Sequence, residues 1–441
     1  MSDNDVPELR SAGRDTLRTL AYNGAAAAVG IITGIIVAKT LGPVGKGQFS
    51  GLNLMQAGIS SVTSGFGAAI TYYLTKGQRS LADLLRPLAA IVAVLSIVIP
   101  ALLLAWGAVF GMNPVIIVFA ATAPATLVVA WQQGIYLGLN RVKSFNTQVL
   151  GFAVFLLLTV AGALIAHLGL LGAMWAWSIC VYGAAVVVVV RAASALRGDS
   201  TWSFGDALRA LIGYGARSAV AGVLGFLNYR IDSLVLIAFL GAAGFGVYSV
   251  AVSAGEILFR IPRAVATATT YHVGAASMEA SAATTAKSIR TCIAVVVALA
   301  LPLFVLAPWL IDLFYGARFA DAAPALRILL PGIVLFVSAG LFSPFYSFQM
   351  GRPMIVFYLG VFMVVVQTGL GVWLVPLLKL NGAAIASTAT YLTSAVVVTT
   401  HFCLLTKMRW YDVWVLRRED LTSLRRLFGR RGASDRPSSG R

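Results

Sequence analysis

The stretch from Asn228 to Arg263, NYRIDSLVLIAFLGAAGFGVYSVAVSAGEILFRIPR, decides the fold. It is apolar and long enough to approach two bilayer crossings, yet it carries Arg230, Asp232, Glu256, Arg260 and Arg263. A charged side chain at the centre of a membrane helix costs about 3 kcal/mol, so these groups are expected to face protein or a wet cavity rather than lipid. Midway lies a glycine-rich turn, LGAAGFGVYS, Leu240 to Ser249. The same pattern stands earlier as LGPVGKGQFS, Leu41 to Ser50, aligned without a gap at an offset of 199 and sharing Leu, three Gly and Ser. One stretch therefore announces both buried charge and a duplicated architecture.

Other signals repeat at similar spacing. LLGA at Leu170–Ala173 matches LNGA at Leu380–Ala383, and Asn140-Arg141 matches Gly351-Arg352. Twelve hydrophobic helices are expected, at 18–41, 45–75, 84–110, 114–139, 144–166, 169–192, 207–240, 243–272, 287–314, 324–350, 354–378 and 381–406. Each exceeds the ~20 residues that span hydrocarbon. Six helices separate repeat partners, so the repeats are parallel and related by an axis along the membrane normal. The expected fold class is an all-α polytopic membrane protein, with twelve transmembrane helices in two pseudo-symmetric six-helix bundles around a central cavity. Residues 1–17 form an N-terminal segment, 18–192 the first lobe, 193–206 a linker, 207–406 the second lobe and 407–441 a basic tail.

Composition agrees. The 441 residues are 59% hydrophobic and only 11% charged, against about a quarter charged in soluble domains. The net charge of +17 is explained by Lys and Arg in cytoplasmic loops, so no nucleic-acid partner is expected. Arg10, Arg14, Arg18, Arg79, Arg86, Arg141, Arg191, Arg197, Arg209, Lys287, Arg290, Arg352 and the tail all fall on one side; the other holds little beyond Lys46, Arg318 and Lys379. Both termini are thus expected in the cytoplasm. The tail has ten Lys/Arg against four Asp/Glu, and Trp410, Trp414, Leu421, Leu424 and Phe428 can share one face of an amphipathic helix on the inner leaflet. Cys180, Cys292 and Cys403 sit singly in apolar segments, as buried thiols do. Lys39 and Lys46 flank the first glycine turn as interfacial anchors. No HExxH, Walker loop or Gly-x-Ser-x-Gly is present, so neither an enzyme nor a cofactor or metal requirement is expected.

In helix 8, Glu256, Arg260 and Arg263 stand at i, i+4 and i+7 and line one helical face. Guanidinium groups there suit a phosphate or pyrophosphate, although an internal Glu256–Arg260 pair explains the same spacing. In helix 7, Tyr214, Arg217, Asn228 and Asp232 share a face, with Arg230 pointing away from it. Asp232 and Glu256 are candidates for binding H+ or Na+. The first half replaces these charges with neutral polar groups: Asn53, Gln56 and Ser60 on helix 2, and Gln133 and Tyr136 on helix 4. Amides, hydroxyls and rings of this kind contact sugars; interhelical hydrogen bonding uses them equally well.

An N-terminal helix ending in AKTLGPVGKGQFS, a polar second helix, and YRIDSLVLIAFLGAAGFGVYSVA followed by EILFRIPR resemble the polysaccharide transporter branch of the multidrug/oligosaccharidyl-lipid/polysaccharide exporter superfamily, the O-antigen-type flippases. The resemblance covers about residues 14–406. It implies two lobes in a V, a cavity open alternately to each side, and the transfer of an undecaprenyl-pyrophosphate-linked oligosaccharide from the inner to the outer leaflet for surface polysaccharide assembly. It implies diphosphate contacts from cavity arginines, here Arg230, Arg260 and Arg217, beside Arg263 from the spacing above. Lipid-linked oligosaccharide and membrane lipids are the implied partners, with a glycan polymerase or glycosyltransferase as protein partner, in the cell membrane. Two alternatives are a cation-coupled multidrug exporter of the same superfamily and a membrane-embedded glycan polymerase or ligase; short outward loops count against the latter.

Overall fold

The computed structural model describes residues 5–75, 79–196, 200–275 and 277–420. Among them there is no strand. The helices are α1 (Asp5–Thr75), α2 (Leu81–Phe110), α3 (Pro114–Gly138), α4 (Val142–Ile165), α5 (Gly169–Leu196), α6 (Phe204–Glu256), α7 (Arg260–Ala275), α8 (Met278–Tyr315), α9 (Ala322–Pro344), α10 (Pro353–Thr406) and the short α11 (Trp410–Trp414). Nine spans among the described residues are long and apolar enough to cross a membrane. Hydrocarbon offers no partner for a bare N–H or C=O, which is why the chain satisfies its backbone inside helices.

Three of these helices break at one residue each and resume at once. α1 bends at Gly42 (φ 67°, ψ −171°), α6 at Gly241 (φ 61°, ψ −162°) and α10 at Lys379 (φ 53°, ψ −126°). The expected glycine-rich turns are therefore kinks, and Pro43 starts the resumed helix where its missing N–H costs nothing. Gly42 and Gly241 stand 199 residues apart in the same conformation. Other residues of positive φ also pair along the chain: Gly111 with Gly316, Asn140 with Gly351, and Gly169 with Lys379. The repeat seen in the sequence is thus written in the backbone dihedrals.

The chain divides into two compact units, Met1–Arg230 with Leu240–Val247, and Ile231–Phe239 with Tyr248–Arg441. In the first, Phe49, Leu52, Phe119, Met174 and Trp177 form one buried core, and Ile70, Leu84, Trp131 and Leu211 a second. Glycines let helices approach. A Cβ on Gly67 would lie 3.9 Å from the Gly134 nitrogen, one on Gly134 only 2.3 Å from the Gly67 oxygen, and the Thr71 hydroxyl donates to the Gly134 carbonyl at 3.2 Å. The two glycine kinks touch each other reciprocally. A Cβ on Gly47 would sit 1.7 Å from the Ala242 oxygen, and one on Gly246 would sit 1.9 Å from the Pro43 oxygen. Those partners are themselves 199 residues apart, Pro43 with Ala242 and Gly47 with Gly246.

The linker is fixed by Asp83, which the sequence reading passed over. Its buried carboxylate accepts hydrogen bonds from the Ser80 N–H (2.9 Å), the Ser80 hydroxyl (2.9 Å), the Ser200 hydroxyl (3.0 Å), the Thr201 N–H (2.7 Å) and the Trp202 N–H (3.0 Å). Ser80 and Asp83 close a capping box at the start of α2, so one carboxylate caps a helix and binds residues 200–202 to it. Arg79 lies over the Trp202 ring at 4.5 Å.

In the second unit, Phe342, Phe345, Tyr346 and Phe402 pack together beside the π-helical turn Phe345–Gln349. The Tyr346 hydroxyl bonds His401 Nδ1 at 2.9 Å. The end of the described chain is clasped onto α8. Arg290 Nε meets Asp420 at 2.7 Å, Arg290 Nη2 meets its other oxygen at 3.2 Å, and Arg290 also donates to the Asp412 carbonyl. Helix α11 stops at Trp414, and residues 415–417 are not helical. Leu421, Leu424 and Phe428 of the expected amphipathic face lie outside the described residues.

Burial alone would raise the Asp420 carboxyl, but hydrogen bonds from Arg290 and the Arg417 N–H, with attraction to Arg290 and Lys287, hold it below the ordinary carboxylate value. A carboxyl lowered by folding stabilises above its unfolded value of about 4 and loses that contribution as pH falls through the folded value. Asp420→Asn is expected to speed proteolysis within 407–420 at neutral pH at least tenfold, since breaking a buried pair costs about 3–5 kcal/mol. The gap from the wild type should narrow below about pH 4.

Gly47→Val and Gly246→Val should each lower the melting temperature of the detergent-purified protein, by about 2 kcal/mol or more in stability. Because both side chains enter one crossing, the double variant is expected to cost less than the sum. Additive losses would mean the two contacts are independent.

Candidate functional site

Asp232 is the buried charge around which a polar site can be built. It is 7% exposed within an apolar stretch of α6. One carboxylate oxygen accepts the Tyr248 hydroxyl at 2.8 Å and the Ser387 hydroxyl at 3.5 Å; the other accepts the Ser233 N–H at 2.6 Å. Ser387 in turn accepts from the Gln367 side-chain amide at 2.9 Å. Thus Asp232, Tyr248, Ser387 and Gln367 form one buried chain within the second unit. Asp232 and Tyr248 come from α6, and Gln367 and Ser387 from α10; apart from Asp232, each reads in the sequence as an ordinary polar residue. The Gln367 Oε1 and Ser394 Oγ atoms are buried with no hydrogen-bond partner among the described residues. A carboxylate, hydroxyls and an amide oxygen make the oxygen-rich environment that a hard cation or a proton prefers.

The arginines are placed differently. Arg230 is half-buried and Arg217 exposed, both in the first unit; Arg260 and Arg263 are exposed in the second. Arg230, Glu256, Arg260 and Arg263 all interact with surrounding protein. A 3-10 turn, Ile257–Phe259, stands between Glu256 and Arg260.

Two residues of the first unit's neutral stripe, Asn53 and Tyr136, are engaged with other helices. Asn53 accepts from the Trp177 indole N–H at 3.2 Å. Tyr136 is buried; its hydroxyl donates to Gln148 at 2.8 Å and accepts from Arg191 at 3.1 Å, tying α3, α4 and α5 together. Ser61 and Ser64 border Gly222, where a Cβ would lie 2.3 Å from the Ser64 hydroxyl. Gln56 and Ser60 are half-buried, and Gln133 is exposed. Lys46 is not the interfacial anchor expected. It is 9% exposed, and its ammonium lies 3.3 Å from where a Cβ on Gly34 would be, so the bare glycine makes room for it. Cys180, Cys292 and Cys403 are free and buried.

Comparison with known proteins places this geometry. A family model described as polysaccharide biosynthesis protein matches residues 61–324, more than half of the chain. Among curated proteins no significant match is found. Solved structures share the fold. An inward-facing multidrug resistance MATE family transporter of the MOP superfamily superposes with a TM-score of 0.67 at 17% identity, covering 88% of this chain and 98% of that one. An outward-facing form of such a transporter gives 0.63 at 17% identity, covering 90% and 97%. A MOP superfamily transporter from Pyrococcus furiosus, described as having a binding pocket of reverse polarity that suggests a different function, gives 0.63 at 15% identity, covering 89% and 95%.

The Asp232 chain has a direct test. Asp232→Ala leaves the Tyr248 and Ser387 hydroxyls without their acceptor and should destabilise the detergent-purified protein by about 3 kcal/mol. Asp232→Asn keeps shape and one acceptor and should cost clearly less. Equal melting temperatures for both variants and the wild type would show that the network contributes nothing.

Proposed function

We propose that this chain, which belongs to the polysaccharide biosynthesis protein family, is a flippase that carries a lipid-linked oligosaccharide across the cell membrane by alternating access. The match of residues 61–324 to that family carries the reading, because it joins polysaccharide assembly to a chain with the fold of MOP superfamily transporters. Twelve helices in two six-helix lobes, a cytoplasmic linker at 193–206 and cytoplasmic termini belong to the same proposal. The kinks at Gly42 and Gly241 mark where helices 1 and 2, and 7 and 8, turn on each other.

The cargo has an anionic diphosphate head and a neutral glycan. Arg217, Arg230, Arg260 and Arg263 supply planar donors for the diphosphate. Gln56, Ser60 and Gln133, with the face of Asn53 not used by Trp177, supply neutral contacts for sugar; Tyr136 positions this wall through Gln148 and Arg191. Asp232 exchanges H+ or Na+ during the cycle with Ser387 and Gln367 beside it, and Glu256 is a second candidate. An inside-negative potential would favour outward movement of the diphosphate by about 2.3 kcal/mol per charge per 100 mV. A glycan polymerase or glycosyltransferase would supply or consume the cargo.

The resemblance in fold to multidrug resistance transporters supports a second reading, a cation-coupled drug exporter. Four arginines and a net charge of +17 suit cationic drugs poorly.

Arg230→Ala and Arg260→Ala, each at wild-type protein level, are expected to lower glycan export to the cell surface at least tenfold. Normal export from both rejects the cationic site. Unchanged glycan but raised drug sensitivity in a deletion strain selects the second reading. Asp232→Asn should abolish the dependence of export on the coupling ion while leaving the protein folded.

A further inference from the structure

The first unit holds a cavity of about 640 Å³ whose lining contributes no polar surface. Three elements build it. Gly58 and its neighbours on the second half of α1 make one wall, Ala90, Val94, Val98 and Leu102 on α2 another, and Ile212 at the start of α6 the third. The rim stays open: Val94 is 60% and Leu102 65% exposed. From Ala90 to Leu102 the groove follows α2 for about 18 Å, at 1.5 Å per residue.

Its two ends differ. One turn before Ala90, on the same i, i+4 row, stands Arg86 with its guanidinium exposed. Beside that end, Tyr72 stacks on Tyr214 at 5.0 Å, and Tyr73 meets Trp202 at 5.3 Å. Tyr and Trp gather at headgroup level, so this end of the groove lies at the membrane interface and the rest within hydrocarbon. A cation at the interface followed by a single long apolar channel is complementary to an amphiphile with one anionic head and one chain. A two-chain phospholipid would fill the channel with only half of its hydrocarbon.

We propose that the groove between α1, α2 and the start of α6 holds the hydrocarbon chain of a polyprenyl phosphate or diphosphate lipid, with Arg86 at its phosphate. The inference rests on the flippase reading and deepens it. It assigns the cargo's lipid tail a seat separate from the residues proposed for diphosphate and sugar during transfer. The tail remains in an apolar setting while the head is handed on.

The test uses the purified full-length chain in phosphatidylcholine nanodiscs, with a diazirine-bearing polyprenyl phosphate as probe. Light should attach it to residues 58–66 and 90–102, and unlabelled polyprenyl phosphate should remove the label whereas phosphatidylglycerol should not. Ala90→Leu with Val94→Trp, which fills the groove, should cut labelling about tenfold, or about 1.4 kcal/mol. Arg86→Gln should weaken labelling several-fold, and Val109→Trp, exposed but outside the groove, should leave it unchanged. A second filling variant, Val98→Trp, covers the case in which the first melts early. Labelling elsewhere, equal competition by phosphatidylglycerol, or full labelling of both filled variants overturns the proposal. Specific labelling in a protein whose deletion leaves glycan export intact would retain the seat and reject the flippase reading; export without groove labelling does the reverse.

Discussion

A polypeptide in hydrocarbon must pair every backbone N–H and C=O within itself, because an orphaned group costs several kcal/mol and no water is at hand. This requirement shapes the chain. Three helices, α1, α6 and α10, break at a single residue, Gly42, Gly241 and Lys379, where the backbone turns through a positive φ and the helix resumes at once. Two are glycine, which enters that region without strain, and the following Pro43 needs no donor partner. Long continuous rods with point kinks are the result, and rods that meet at glycines approach to backbone distance, as at Gly67–Gly134 and Gly47–Ala242.

Charge obeys the same economy of exposure. Asp83 and Asp420 are buried, yet each is saturated: Asp83 by α2's own cap and residues 200–202, Asp420 by the two-pronged Arg290. Both use a carboxylate to join segments that sequence keeps apart. Asp232 differs in kind. Its partners include the Ser233 N–H and the Tyr248 and Ser387 hydroxyls, with the Gln367 amide behind Ser387. Asp83 and Asp420 tie distant segments together at the edges of the bundle, whereas Asp232 links α6 to α10 within it.

Fold class was legible because hydrophobic runs and the Lys/Arg imbalance are sums over many residues. The duplication was legible because five identities in ten at Leu41–Ser50 and Leu240–Ser249 mark one special conformation, and Gly42 and Gly241 adopt it. Partnerships across helices were not. Asp83 sits in a Ser-x-x-Asp cap signature at 80–83, but nothing in spacing tells that its second oxygen reaches residue 201. Lys46 looked like an anchor because a helix end is near; the room above Gly34 appears only when the two rods are packed. The 3-10 turn at Ile257–Phe259, by contrast, has a sequence cause that was passed over: Pro262 has no N–H for the Leu258 carbonyl four residues before it.

The reciprocal crossing of Pro43 and Gly47 with Ala242 and Gly246 carries an ancestral implication. Exchange the two halves and the contact maps onto itself, which is the signature of an isologous interface between identical subunits. A side chain at Gly47 or Gly246 would push the opposing backbone aside, so one constraint falls on both copies of the repeat. Charge escapes it: Arg260 and Arg263 stand where Ser61 and Ser64 lie at the same offset of 199. Asymmetry of chemistry was thus purchased against symmetry of shape.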